Sequence, residues 1–362
     1  MTDKKVYPVQ LVQPDGRRVH GSPYADTVAD VDTEGLRGLY ADMVAIRRLD
    51  AEATALQRQG QLGIWAPCLG QEAAQVGSAR ALHPDDYVFT SYREHGVAYC
   101  RGVDPGQWPR LWRGVSLSCW DPDEYAMTNP AIVVGAQGLH AVGYALGAHL
   151  DGAEIATVAY FGDGATSQGD IAEALGFAAG WGTGVVFFCQ NNQWAISEPV
   201  QVQSPIPLAQ RATGYGIPSV QVDGNDVLAV LAVTRGAVAR ARDGGGPGFV
   251  EALTYRMGPH TTSDDPTRYR SRADVAPWQA RDPIERIRRL LIAEGGWDDG
   301  VDARVHEHAE ATAAAFRAGT LALGDPEPTA LFDHVYSRAH PLLDEERTRF
   351  TDYLRSFEEA PS

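Results

Sequence analysis

A chain of 362 residues is long enough for one large α/β domain with extensions, or for two modest domains. Its 44% hydrophobic and 22% charged residues are those of an ordinary globular protein, and its net charge of −16 argues against nucleic acid as the main partner, which would need clustered Lys and Arg. No apolar run approaches the roughly 20 residues of a membrane helix, the amino terminus MTDKKVYPVQLVQPDGRRVH lacks the apolar core of a signal peptide, and a cytoplasmic location is expected. The four cysteines, Cys68, Cys100, Cys119 and Cys189, form no CxxC pair, which fits a reducing compartment. Cys189, inside VVFFCQ, reads as a buried thiol.

Residues 1–31 are polar, broken by Pro and Gly, and read as an arm lying over a partner or the domain surface. Asp32 or Thr33 can cap a helix that carries Leu36, Leu39, Met43, Ile46 and Leu56 and stops at Gly60. A glycine-broken loop leads into a second helix from about Gln71, and YVFTSYREHG reads as a short strand with a polar, basic end. AQGLHAVGYALGAHL is an alanine-rich helix whose Gly143 and Gly147 favour close packing, within the chain or between subunits. IATVAYFGDGATSQGDIAEALGFAAGWGTGVVFFCQNNQWAIS then reads as strand, acidic glycine turn, small-residue helix, strand and paired-asparagine turn. SVQVDG is a strand, NDVLAVLAVTRGAVARARDGGG a capped helix, and FVEALTY another strand. RMGPHTTSDDPTRYRS follows as a polar loop too long and hydrophilic to be buried, and loops of that kind are usually functional or disordered. Asp282, Pro283 and Glu285 start a further helix as cap, first-turn proline and capping-box acid. The pattern predicts an α/β fold, a doubly wound, mainly parallel sheet over residues 32–300, with a helical tail at 301–362 packed on the same domain.

Parallel strands of one β-α-β unit are neighbours, so Asp163 and Asn192 are expected just past the carboxyl ends of adjacent strands, where open α/β sheets bind ligands. Two oxygen donors there, flanked by glycines, suit a hard cation carrying a phosphate. Either turn alone is common; their joint placement carries the signal. A dinucleotide fold is disfavoured, because Gly162, Gly164 and Gly169 read GxGxxxxG and the next strand ends in Gln190-Asn191 where an acid would hold a ribose. His260 follows a strand that ends on the same edge, which sets it apart from an ordinary solvated loop histidine.

Seven ordered segments (LQRQGQLG, GQEAAQVGSA, SYREHG, GDGATSQGD, QNNQWAIS, VDGNDV and GPHTTSDDPTRYRS) make the chain, from about Thr33 to Leu354, resemble the alpha subunit of the decarboxylating dehydrogenase component of 2-oxo acid dehydrogenase complexes. The resemblance implies thiamine diphosphate and magnesium as cofactors. It implies that Asp163, the Asn192 side chain and the Trp194 carbonyl ligate the metal. Gly162, Gly164 and Ala165 then belong to the diphosphate cradle, Tyr92 and Arg93 form a diphosphate-binding pair, and the backbone of Ile132 and Val134 meets the aminopyrimidine. His260 matches the active-site histidine, and the segment 261–272 matches one that orders over the cofactor. The activating glutamate is implied to come from a beta subunit in an α2β2 assembly, with the acyl group passing to a lipoyl acyltransferase. Pyruvate or a branched-chain 2-oxo acid is the implied substrate. An acetoin dehydrogenase or acyloin-type carboligase subunit is the alternative enzyme, and a non-catalytic paralogue that only binds a beta-like partner is a third reading. The chain departs from the pattern in Val115–Asp121, where Leu117 and Ser118 stand in place of a His and a Gly, and at Gln168 and Gly176.

Overall fold

Alternation along the strands builds the architecture, which is that of a computed structural model describing residues 8–358. In chain order the strands are β1 (Tyr87–Phe89), β2 (Thr157–Gly162), β3 (Val185–Asn191), β4 (Trp194–Ala195), β5 (Glu198–Pro199), β6 (Ser219–Asp223) and β7 (Gly248–Leu253). Val158 and Tyr160 of β2 join one core, whereas Ala159 and Phe161 join the other. A strand buried on both faces runs apolar over successive positions, as residues 158–161 of β2 and 185–189 of β3 do. Helices Thr33–Arg58, Glu72–Ala79, Val227–Arg242 and Pro283–Ala293 supply the first core, and Ala136–Leu150, Gly169–Trp181 and Leu208–Thr213 the second. The sheet runs β1-β2-β3-β7-β6 with every pair parallel. The expected doubly wound α/β fold is what the chain adopts.

Chain order reverses between β3 and β7, because the chain leaves β3 for the edge strand β6 and returns to β7 between them. That switch point opens a crevice at the carboxyl ends of β2, β3 and β7. The helix starts are locally encoded: Asp32 and Asp226 accept from Gly35 and Ala229 backbone N–H groups as N-caps. Asp282 caps its helix as expected, but Glu285 does not close a capping box; it turns outward and accepts from Arg289 at 3.0 Å. The amino-terminal arm is fastened along β6. Val9 bridges Val222, and the Leu11 and Val12 amides donate to buried Asp226 at 2.7 and 2.6 Å; residues 1–7 lie outside the described part.

The chain divides into two compact units, Met1–Thr320 and Leu321–Ser362. The smaller holds the turn Pro328–Phe332 and the amphipathic helix Pro341–Glu358. Among the described residues no helix is long and apolar enough to cross a membrane. The cysteines are free, and Cys189 is buried as expected.

One glycine fixes an approach to the crevice. Gly70 has φ +96°, and a Cβ there would run into the Tyr255 carbonyl oxygen and the Met257 side chain. Gly70→Ala is therefore expected to destabilise the fold by roughly 2–5 kcal/mol, the left-handed strain and the overpacking adding together. A denaturant midpoint indistinguishable from wild type would contradict this.

Candidate active site

The crevice encloses a cavity of about 470 Å³, a volume suited to a cofactor-sized ligand. Every residue named above as a metal or cofactor contact lines it. Gly162 ends β2, Asp163 to Ala165 form the turn after it, Asn192 follows β3, Trp194 begins β4, and His260 lies beyond β7. Tyr92 and Arg93 arrive from the segment after β1, and Ile132 and Val134 from the loop before the helix Ala136–Leu150. Leu117 and Ser118 do not line it: Leu117 is 94% exposed, and Ser118 turns back to donate to the Trp120 carbonyl at 2.8 Å.

Asp163 is buried and half satisfied. Its Oδ2 accepts from Gln203 Nε2 at 3.0 Å, while Oδ1 has no partner. Burial pushes its carboxyl up to about 6, against an ordinary 3.8. Asn192 is oriented from both ends: Nδ2 donates to Gln71 Oε1 at 3.1 Å, and Oδ1 accepts from the Trp194 N–H at 3.2 Å. The turn between them is strained. Gln193 (φ 73°) and the β-branched Ile196 (φ 55°) both sit in the left-handed region, a cost of about 1–3 kcal/mol each that the surroundings must hold in place.

What holds the turn is Arg256. It is fully buried and donates from Nη1 to the Trp194 carbonyl at 3.2 Å and from Nη2 to the Ile196 carbonyl at 2.6 Å and to Tyr269 Oη at 2.8 Å. Arg270, also buried, donates to the carbonyls of Arg256, Met257 and Gly258. The expectation that RMGPHTTSDDPTRYRS would be too hydrophilic to bury thus fails at Arg256 and Arg270. Each guanidinium finds backbone carbonyls inside, and a buried donor with partners is tolerated where an unpaired one is not. Asp264 completes the arrangement, accepting from the His260 N–H at 2.7 Å and from Tyr269 Oη at 2.5 Å.

Arg93 is buried too, its Nη1 donating to the Pro67 carbonyl at 2.5 Å and Nη2 to the His260 carbonyl at 2.9 Å. Among the described residues neither Arg93 nor Arg256 makes an ion pair with a carboxylate. Burial, reinforced by Arg93 and the other nearby cations, pushes Arg256 down to about 10. Arg93 lines the cavity and Arg256 lies behind it against His260 and the Trp194 carbonyl, an arrangement that suits an anion in the cavity. A relay of amides positions the Arg93 segment against the end of β3: Gln75 donates to the Arg93 carbonyl (2.9 Å) and to Gln190 Oε1 (3.1 Å), and Gln190 donates to Glu94 Oε1 (2.7 Å).

His260 Nδ1 lies 3.2 Å from both Arg93 Nη2 and Arg256 Nη1. A guanidinium can only donate, so Nδ1 must hold the lone pair and Nε2 the proton. Burial and the two guanidinia hold its pKa down at about 3. His260 is accordingly expected to remain a neutral Nε2–H imidazole from about pH 5 to 8. Nitrogen-15 spectra of histidine-labelled protein check this, and a titration of His260 within that range would contradict it.

The dehydrogenase E1 component family matches residues 40–319. The chain belongs to that family. This E1 chain is 46% identical over 346 residues to the 3-methyl-2-oxobutanoate dehydrogenase subunit alpha of Mycobacterium tuberculosis (strain ATCC 25618 / H37Rv), covering 94% of this chain and 92% of that one. It is 39% identical over 312 residues to the pyruvate dehydrogenase E1 component subunit alpha of Staphylococcus aureus (strain COL), covering 86% and 83%. Against the subunit of the same name from Acholeplasma laidlawii the figure is 37% over 324 residues, covering 89% and 94%. Membership makes it a dehydrogenase component, and an E1 chain of the alpha type implies thiamine diphosphate use and a complex with a second kind of subunit.

Sequence reasoning missed Arg256, Gln203, Gln71 and Tyr269 as parts of this E1 site. Gln71, Tyr269 and Arg256 lay inside quoted motifs, but nothing in spacing marks which polar residue of a loop turns inward.

Proposed function

We propose that this chain is the alpha subunit of a 2-oxo acid dehydrogenase and carries the metal and diphosphate half of its thiamine diphosphate site. The observation that carries the reading is the unpartnered, buried Asp163 Oδ1 in a cavity that Arg93 also lines, with Arg256 buried behind it. An orphaned buried acceptor costs about 1–3 kcal/mol, and a cation on it would remove that cost. Among the described residues no three His, Cys, Asp or Glu side chains gather to hold a metal. Magnesium needs no such cage, since a single carboxylate with a few neutral oxygens is enough when phosphates and water complete its octahedron.

In this reading Asp163 Oδ1, Asn192 Oδ1 and the Trp194 carbonyl would hold magnesium, the Trp194 oxygen keeping its second lone pair beside Arg256. Gly162 to Ala165 bring bare backbone to the diphosphate, and Tyr92, Arg93 and His260 close over it, with Nε2–H the one donor left on the imidazole. The backbone of Ile132 and Val134 would receive the aminopyrimidine. When bound, thiamine diphosphate supplies an electron sink for decarboxylating the 2-oxo acid. The chain's own share is to neutralise the diphosphate, fix the ring, and exclude water with segment 261–272.

The acids of the cavity support a second chain. Among the described residues, Asp163 and Glu94 are its only acidic lining residues, and Glu94 is held by the Ser91 N–H at 2.6 Å and Gln190 Nε2 at 2.7 Å. The activating carboxylate is accordingly assigned to the beta subunit in this reading. The rim residues Ile132, Val133 and Val134, at 57%, 70% and 41% exposure, leave an apolar edge for a beta subunit to cover, in an α2β2 assembly that hands its acyl group to a lipoyl acyltransferase in the cytoplasm. The test is reduction of an artificial electron acceptor with 2-oxoisovalerate, pyruvate or acetoin as the substrate. Turnover of a 2-oxo acid is expected only from the chain paired with its beta subunit. Robust turnover by the single chain, or of acetoin alone, would overturn the proposal.

A further inference from the structure

We propose that Gln203 and Gln71 are positioning residues that fix which oxygens of Asp163 and Asn192 face the cavity, and thereby set the affinity of the site for a divalent cation. The inference rests on the reading of Asp163 and Asn192 as cation-facing oxygens. Neither glutamine is an obvious ligand, and each is tied to one of the two residues that are.

The terminal torsions of Asp and Asn are soft and roughly two-fold, so each end group needs an external partner to hold one orientation. Gln203 ends the short turn Val200–Gln203 after β5. Its Oε1 accepts from Ser167 Oγ at 3.2 Å, which leaves Nε2 to donate to Asp163 Oδ2 at 3.0 Å. Ser167 closes the same turn, Asp163–Ser167, that carries the carboxylate. The result is a closed loop of contacts that spends Oδ2 on protein and leaves Oδ1 bare.

Gln71 does the complementary task. It is fully buried and follows Gly70, whose close packing against Tyr255 leaves the segment one path. Gln71 Oε1 accepts from Asn192 Nδ2, while Asn192 Oδ1 accepts from the Trp194 N–H. Were the Asn192 amide to flip, Oδ1 would meet Oε1 and Nδ2 would meet an N–H, and both hydrogen bonds would be lost. Gln71 therefore locks Asn192 with its oxygen on the Trp194 side, where the third oxygen also lies.

Outer partners of this kind typically change metal affinity by 10- to 100-fold when removed. The test uses the full chain paired with its beta subunit, titrated with Mg²⁺ at saturating thiamine diphosphate and followed by tryptophan fluorescence, since Trp194 and Trp112 line the cavity. Gln203→Met and Gln71→Met are expected to raise the Mg²⁺ half-saturation roughly 10- to 100-fold, with the saturated signal unchanged. Gln71→Glu keeps an acceptor for Asn192 Nδ2 and adds a negative charge near the site, so it is expected to bind Mg²⁺ at least as tightly as wild type. Methionine variants that bind Mg²⁺ as wild type does would overturn the proposal, as would variants whose only defect is a lower cofactor-free melting temperature. A wild-type pair that shows no Mg²⁺-dependent signal would overturn the reading of Asp163 and Asn192 themselves, and this inference with it.

Discussion

Asp163→Asn is expected to make the cofactor-free protein more stable while stripping it of its cation. Burial holds the Asp163 carboxyl at about 6 against an ordinary 3.8. Between those values the folded chain keeps a proton that the unfolded chain releases, so the stability this group contributes is full below pH 4 and lost as pH rises through about 6. Above that the buried carboxylate costs the fold up to about 3 kcal/mol. Asparagine is neutral throughout and fits the same space. The variant should therefore gain about 1–3 kcal/mol at pH 8 and close to nothing at pH 4, read from denaturant midpoints of the cofactor-free protein. Magnesium affinity should fall roughly 100-fold or more, because a formal charge leaves a low-dielectric site. A variant no more stable than wild type at pH 8 would contradict this account of the carboxylate.

Arg256→Met should release two structures at once. The side chain joins the Trp194 and Ile196 carbonyls to Tyr269 and His260, so its loss frees the strained turn after β3 and unpins segment 261–272. Each stranded buried acceptor costs about 1–3 kcal/mol, and Ile196 loses a contact that keeps it left-handed. Thiamine diphosphate affinity should drop roughly 100-fold, the equivalent of about 2.7 kcal/mol, and trypsin should cut after Arg268 or Arg272 at least about tenfold faster, because cleavage follows the open population. Arg256→Lys should fall between, since a single ammonium cannot reproduce the fork. Unchanged proteolysis of the methionine variant would show that the segment is held by something other than Arg256.

The sequence made the sheet and the floor of the site legible, and left much of its wall dark. β2 and β3 announce themselves by the apolar runs 158–161 and 185–189, the composition that cover on both faces favours. Asp163 and Asn192 could be placed because parallel neighbours put their following turns side by side. His260 could be placed because β7 ends on the same edge. Arg256 could not: in a run of Ser, Thr, Asp and Arg it reads as solvated, and its burial depends on carbonyls of Trp194 and Ile196 that come from a distant turn. Nor could Gln203, which meets Asp163 only because the β4–β5 hairpin folds it back. The positive φ of Gln193 and Ile196 is likewise invisible, since no glycine marks the bend. Residues that make chemistry by type and spacing can be read along a chain, whereas residues that orient them are defined by what the fold brings near.

The central claim is that this chain holds the metal and diphosphate half of a thiamine site completed by another subunit. Calorimetric titration of thiamine diphosphate with magnesium into the chain paired with its beta subunit tests it most directly. The expected result is saturable binding, one cofactor per unlike pair, abolished by a chelator and by Asp163→Ala. Failure of the assembled pair to bind, or binding that survives Asp163→Ala undiminished, would contradict it.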